Sequence, residues 1–215
     1  PDEVLEAPVA VVVDVMRATS TIAQALASGY ERVYCCREVD DARALREKLG
    51  EGLLGGERSA VPIEGFDIGA SPREVIEPRG STLIYSTTNG TRAVLAAAAA
   101  CETVFLGSLL NLSAVARAVQ DDCVVVCAGF QGRFALDDAY CAGRVVDLLG
   151  GEVSDAAKAS AILAESFPTA WDAIMARTYG PPGLEADIEF CSQENTIDVV
   201  PRFSRMMDGA AEIVA

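Results

Sequence analysis

An aspartate at the end of an apolar run, followed closely by one arginine and three hydroxyl side chains, is the pattern in this chain best suited to chemistry. Val9–Val13 leads into Asp14, then Arg17, Thr19, Ser20 and Thr21, and an apolar helical run (Ile22, Ala23, Leu26) follows. The order predicts a buried strand that feeds a helix N-terminus, where unpaired N–H groups and the macrodipole favour an anion. Asp14 beside such a pocket is suited to hold a divalent cation or a water. Arg17 and the hydroxyls of Thr19, Ser20 and Thr21 are suited to a phosphoryl group. A plain helix cap explains Asp14 as well, since Asp, Ser and Thr are preferred there. Met16 stands where a DxDxT phosphatase would carry its second aspartate, so no aspartyl-phosphate mechanism follows.

A second elbow, Ser86-Thr87-Thr88-Asn89-Gly90-Thr91-Arg92, offers hydroxyls, an amide, a cation and a glycine that lets backbone N–H groups approach an oxyanion. Its plain alternative is an Asn-Gly turn. Glu57, Glu64, Asp67, Asp137 and Asp138 could supply the oxygens that Mg²⁺ prefers, although most carboxylates of an acidic protein simply face solvent. Cys127 and Arg133 satisfy the C-x5-R spacing of thiolate phosphatases, with Phe134 where a hydroxyl usually follows. No GxxxxGK[ST] or GxGxxG pattern supports a nucleotide.

The elements that must position these residues alternate. Strand-like runs at Val9–Val13, Arg32–Cys36 and Leu53–Leu54 are separated by helical runs at Ser20–Ser28 and Val39–Leu49. A second series has strands at Thr82–Tyr85, Thr103–Leu106 and Cys123–Cys127 around helices Thr91–Ala100 and Leu112–Val119. Such alternation predicts a mostly parallel sheet with helices on both faces. The series read as two copies of a βαβαβ unit, about residues 9–80 and 81–150, whose elbows share one sheet edge. A helix over Leu136–Leu149 closes the second unit, and a helix over Ser154–Arg177 (broken at Pro168) and a short strand at Ile188–Cys191 make up a C-terminal extension, 151–215. No linker divides the chain, which reads as one domain over 1–215.

Composition narrows the partners. A formal charge of −15 opposes nucleic acid, and no run approaches the roughly 20 apolar residues of a membrane span. Lysine occurs only at Lys48 and Lys158, so arginine carries nearly all the positive charge. The absence of histidine removes phosphohistidine, Ser-His-Asp and His-zinc chemistry. Seven cysteines without a CxxC pair point to buried, reduced thiols in a cytoplasmic protein. The chain starts at Pro1 without a methionine, and the oligomeric state, a homo-oligomer included, is left open.

Together, VVVDVMRATSTIAQALASG, GGERSAVPIEGFDIGASP, STTNGTRA, GSLLN, VVVCAGFQGRFALDDAYCAG and DIEFCSQENTIDVVP resemble the 2-phosphosulfolactate phosphatase family, in family order from Val9 to Pro201. The resemblance implies a three-layer α/β/α architecture and a Mg²⁺-dependent phosphatase. The expected substrate is 2-phospho-3-sulfolactate, a small phosphorylated, sulfonated 2-hydroxy acid, in a step of coenzyme M biosynthesis. On that reading Mg²⁺ is held by Asp14 with Glu57, Glu64, Asp67 or Asp138, and Asp14 or Asp138 is the base. Arg17, Thr19–Thr21 and Thr88–Thr91 would neutralise the phosphoryl oxygens, and Arg92 or Arg133 would meet the carboxylate or sulfonate. A Cys127 thiolate phosphatase and a non-catalytic phosphate- or sulfonate-binding module are the competing readings.

Overall fold

A computed structural model describes residues 7–215. The first series forms β1 (Val9–Val13), α1 (Ala18–Ser28), β2 (Arg32–Cys35), α2 (Val39–Leu49) and β3 (Leu53–Arg58), with a two-residue β4 (Val61–Pro62). The second forms β5 (Thr82–Ser86), α3 (Gly90–Ala100), β6 (Thr103–Gly107), α4 (Leu112–Ala118) and β7 (Cys123–Cys127). Helices α5 (Leu136–Leu149), α6 (Asp155–Glu165), α7 (Ala170–Met175) and α8 (Glu185–Cys191) follow, then a hairpin of β8 (Arg202–Met207) and β9 (Ala210–Val214). None of these helices is long and apolar enough to cross a membrane.

The nine strands form one sheet in the order β4-β3-β5-β2-β9-β8-β6-β1-β7. Within it lie two parallel trios, and each series places its first strand between the later strands of the other. Thus β1 pairs with β6 and β7, while β5 pairs with β2 and β3. The parallel expectation holds inside the trios, but the sheet as a whole is mixed. The C-terminal hairpin sits between them and contributes three antiparallel steps, β2 to β9, β9 to β8 and β8 to β6. Three reversals leave the trios running in opposite directions, so their elbows do not share an edge as expected. They meet nonetheless. Twist of about 20–25° per strand accumulates over the five steps from β5 to β1 and lifts diagonally opposite strand ends toward one face.

Alternation along β1 assigns the layers. Ala10 and Val12 face α1 and α3, whereas Val11 and Val13 face a cluster with Leu112, Val115, Tyr140 and Ile174 from α4, α5 and α7. On the other trio, Tyr34, Leu54 and Ile84 pack against Ala42 and Leu45 of α2. Helices therefore cover both sheet faces, giving the three-layer α/β/α sandwich.

Two sequence expectations change. The hairpin β8–β9 was not anticipated, although Asp208 (φ 50°) and Gly209 (φ 81°) supply the paired left-handed residues of a tight two-residue turn. The expected strand at Ile188–Cys191 is helix α8: its buried residues Asp187, Ile188 and Cys191 recur at helical spacing. Strand β3 also runs past Leu54 through Gly55 and Gly56. A Cβ on Gly56 would strike the Ser86 carbonyl on β5.

Candidate active site

At the first elbow, β1 delivers Asp14 into a buried position, 8% exposed. Asp14 Oδ1 accepts the Ala18 N–H at 3.2 Å, which caps α1 from four residues upstream. Thr19 Oγ1 accepts the Asp14 N–H at 3.0 Å and donates to the Asp14 carbonyl at 2.9 Å. Asp14 Oδ2 is left facing α3, and it lies where a Cβ on Gly90 would collide with it and with Ala18 Cβ. Only a glycine at that position admits the carboxylate. The Met16–Arg17 peptide bond of this elbow is cis.

Beneath it, Asp138 accepts the Val15 N–H through Oδ1 and the Gly129 N–H through Oδ2, both at 2.9 Å, and so ties the elbow to the loop after β7. Its neighbour Asp137 accepts the Tyr179 hydroxyl and the Asp138 N–H through one oxygen. Packing carboxylates together out of water favours their neutral forms. Burial, then the charges of Asp137 and Glu57, push Asp14 up to about 7 against the opposing Ala18 N–H and Arg17. Burial and the charges of Asp137 and Asp14 also raise Asp138. Asp137 is raised by burial, against the Tyr179 hydroxyl and Arg177.

The second elbow is arranged differently. Thr87 and Thr91 satisfy each other, Thr91 Oγ1 accepting the Thr87 N–H and Thr87 Oγ1 accepting the Thr91 N–H, each at 3.1 Å. Glu57, at the end of β3, takes the Thr88 N–H at 2.7 Å and the Thr88 hydroxyl at 3.1 Å, with the Ala60 N–H at 2.5 Å. Asn89 Oδ1 accepts the Gln131 N–H at 3.2 Å. One cleft is lined by Asp14, Arg17, Glu57, Thr88 and Asn89, with Phe130, Arg177 and Tyr179 along its other wall. Phe130 and Tyr179 stack there with centroids 4.8 Å apart. Arg17 Nη1 is held 2.7 Å from Asp187 Oδ2, and Asp187 Oδ1 accepts the Ser71 hydroxyl at 2.5 Å.

The cleft therefore unites Asp14, Arg17, Glu57, Thr88 and Asn89, with Gly90 packed against Asp14 Oδ2. Several other expected residues lie elsewhere. Thr19, Ser20 and Thr21 are fully buried, and their hydroxyls donate to the carbonyls of Asp14, Val15 and Ala70; they build the elbow and do not face a ligand. Thr91 is likewise consumed by Thr87. Asp138 has both oxygens on backbone amides and is not on the cleft wall, so in this structure it ties the elbow to the loop after β7. Glu64 is exposed, and its carbonyl accepts from Arg43. Asp67 Oδ2 binds Arg46 and the Leu54 N–H, each at 2.8 Å, beside α2. Of the five expected metal ligands only Asp14 and Glu57 share the cleft, and among the described residues no group of three Cys, Asp or Glu is arranged to hold an ion. Arg92 pairs with Glu38 on the surface, and Arg133 is exposed and off the cleft wall.

The thiolate reading fails on geometry. Phe130 and Arg133 exchange backbone hydrogen bonds at 3.0 Å across a turn at Gln131 and Gly132, and the Gly129 N–H belongs to Asp138. These amides form no phosphate cradle. Although Cys127 is exposed at the end of β7, the protein atoms around it and the Asp138 and Asp137 charges raise its thiol, the opposite of what a nucleophile needs. All seven cysteines are free and five are buried.

Arg177, Tyr179 and Asp187 escaped the sequence reading. Gly180-Pro181-Pro182-Gly183 looked like punctuation, and nothing local signals that the residues before it return to a cleft built from β1 and β5. The comparisons with known proteins agree with the motifs that are present. A family model described as 2-phosphosulpholactate phosphatase matches residues 1–205. A protein of Carboxydothermus hydrogenoformans named "Probable 2-phosphosulfolactate phosphatase" is 39% identical over 203 residues, 89% of this chain and 84% of its own. Proteins of the same name from Caldanaerobacter subterraneus subsp. tengcongensis and Thermus thermophilus are 40% and 37% identical, over 89% and 94% of this chain and 86% and 90% of their own. With the family model spanning the two elbows, β3 and the helices around the cleft, the chain belongs to the 2-phosphosulpholactate phosphatase family.

Proposed function

We propose that this protein hydrolyses the phosphate ester of 2-phospho-3-sulfolactate, or of a closely related 2-phospho-hydroxy acid, to the free hydroxy acid and phosphate, with Mg²⁺ as cofactor. The observation that carries the reading is the Asp14 carboxylate. It is buried at the floor of a cleft, with Oδ1 spent on the helix and Oδ2 left for chemistry.

The donor set suits the ion. Mg²⁺ is commonly held by one or two carboxylates, completed by waters and substrate phosphate, and Asp14 and Glu57 are two carboxylates on one cleft. Asp14 is pushed up to about 7 by burial and by neighbouring negative charge, a penalty that a cation would relieve. Bound by Asp14 and Glu57, Mg²⁺ would act as a Lewis acid on the phosphoryl oxygens.

The protein's own groups supply the rest. The N-terminus of α3 opens at Asn89 onto the cleft and favours the phosphoryl anion through its dipole. Arg17, fixed by Asp187, presents a cation whose orientation is set before substrate arrives, so little reorganisation is needed as charge develops. Thr88 locks Glu57 with its amide and hydroxyl. Asp14 must be ionised to act, whether toward the cation or toward a water's proton, and its raised pKa keeps that requirement near neutrality. Phe130 and Tyr179 shield the cleft from bulk water on the far side.

The test is phosphate release from 2-phospho-3-sulfolactate with Mg²⁺, with EDTA, and after iodoacetamide. Activity should require Mg²⁺, return when it is restored, survive alkylation, and fall by about 10³-fold in Asp14→Asn, within the range for a positioned acid–base group. Full activity in EDTA contradicts the magnesium reading. No phosphate release at any Mg²⁺ concentration contradicts the phosphatase reading itself.

A further inference from the structure

We infer that Arg177 is the residue that selects a sulfonated substrate, by donating from Nη1 to the sulfonate while the phosphate occupies the Asp14 floor. The inference rests on the phosphatase reading and assigns the end of the substrate that this reading leaves unplaced.

Arg177 lines the cleft on the wall opposite the elbows. Its Nη1 is buried and, among the described residues, is the one buried side-chain nitrogen or oxygen without a hydrogen-bond partner. A buried donor left unpaired is costly, so an unpartnered guanidinium nitrogen on a residue of the cleft wall marks a place for an acceptor. The other cation of the cleft is already committed, because Arg17 is bound by Asp187. A substrate with a phosphate, a carboxylate and a sulfonate carries more negative charge than Arg17 and a metal ion can match beside Asp14 and Glu57.

The orientation of the guanidinium favours sulfonate over carboxylate. Nε donates to the Tyr179 carbonyl at 3.2 Å, and Nη2 lies toward Gly180, within 3.7 Å of where a Cβ on that glycine would stand. The side-on Nε–Nη2 pair that can grip a carboxylate thus has its Nε already spent on the protein's own backbone. The Nη1 and Nη2 end remains, and a sulfonate, with three equivalent oxygens, presents acceptors to it in any rotation about its C–S bond. Tyr179 keeps the segment in place through its hydrogen bond to Asp137 and its stack on Phe130.

The experiment compares wild type, Arg177→Met and Arg177→Lys on 2-phospho-3-sulfolactate and 2-phospholactate, which lacks only the sulfonate. Loss of a charge-assisted bond should lower kcat/KM for the sulfonated substrate by about 10–100-fold, mainly through KM, with less than about 3-fold change on 2-phospholactate. The lysine variant should recover part of the loss. Equal losses on both substrates, or no preference in the wild type, overturn the inference and leave the phosphatase reading standing. Calorimetric binding of 3-sulfolactate and lactate tests it without turnover. Wild type should prefer sulfolactate and Arg177→Met should not; equal affinities in the wild type overturn the inference even if no ester is hydrolysed.

Discussion

The elbows after β1 and β5 end the central strands of their trios, and each begins a helix of 11 residues that packs on the same sheet face. They differ in what stands at the strand end. After β5, Thr87 and Thr91 satisfy one another, and Thr88 spends its amide and hydroxyl on Glu57. After β1, the same capping task falls to a carboxylate that needs only one of its oxygens for it. The second oxygen faces the cleft at the cost of a desolvated charge beside other carboxylates. One elbow is built for stability and holds a partner in place; the other keeps a desolvated carboxylate that the fold would be more stable without.

This contrast can be broken at the point where the elbows touch. Gly90→Ala places a methyl group against Asp14 Oδ2 and Ala18. A carboxylate displaced by about 1 Å loses on the order of 10²-fold in rate, and overpacking should cost about 1–3 kcal/mol. Steady-state kinetics with denaturant titration would separate the two effects. Unchanged kcat/KM would show that the close approach of the elbows has no part in the chemistry.

Thr88→Val probes the supporting elbow. It removes the hydroxyl bond to Glu57 Oε2 and the acceptor for the Ser59 N–H but keeps the amide bond to Oε1. We expect about 10-fold lower kcat/KM and roughly 1 kcal/mol of stability, with a weaker apparent Mg²⁺ affinity in the same assay. An effect as large as that of Gly90→Ala would show that the two elbows share the chemistry more evenly.

How much of this was legible from residue order depends on the range of the interaction. Strand–helix alternation and the two elbows were readable because burial on two faces imposes apolar runs and caps impose their residue types locally. Asp14 was recognisable as a carboxylate at a strand end, and Glu57 only as one of several carboxylates suited to a metal. The direction of a side chain on the first turn of a helix was not: Thr19, Ser20 and Thr21 look like ligand groups until the helix is laid on the sheet, which turns all three inward. The reversal of the trios was equally hidden, because it depends on a hairpin that begins only at Arg202, far beyond the end of β7 at Cys127, and whose Asp208-Gly209 turn was the one local clue. Arg177 and Tyr179 reach the cleft through contacts with no sequence periodicity, Tyr179 to Asp137 spanning 42 positions.

The central claim is that Asp14 is kept at this elbow for function and against stability, and its pH dependence tests that most directly. The group has a folded pKa of about 7 against 3.8 for the free side chain. Below about pH 4 it is protonated in both states and carries no penalty. Between there and about pH 7 the unfolded chain ionises it first, so native stability is lost as pH rises, and the penalty then levels off. Unfolding of metal-free wild type and Asp14→Asn should be followed by denaturant titration from pH 4 to pH 8, since asparagine keeps the Oδ1 acceptor for Ala18. The account predicts that the two proteins are similar near pH 4 and that the variant becomes more stable as pH rises, by up to about 4 kcal/mol at pH 8, while its phosphatase activity is lost. Parallel stability curves, or an active Asp14→Asn enzyme, would contradict it.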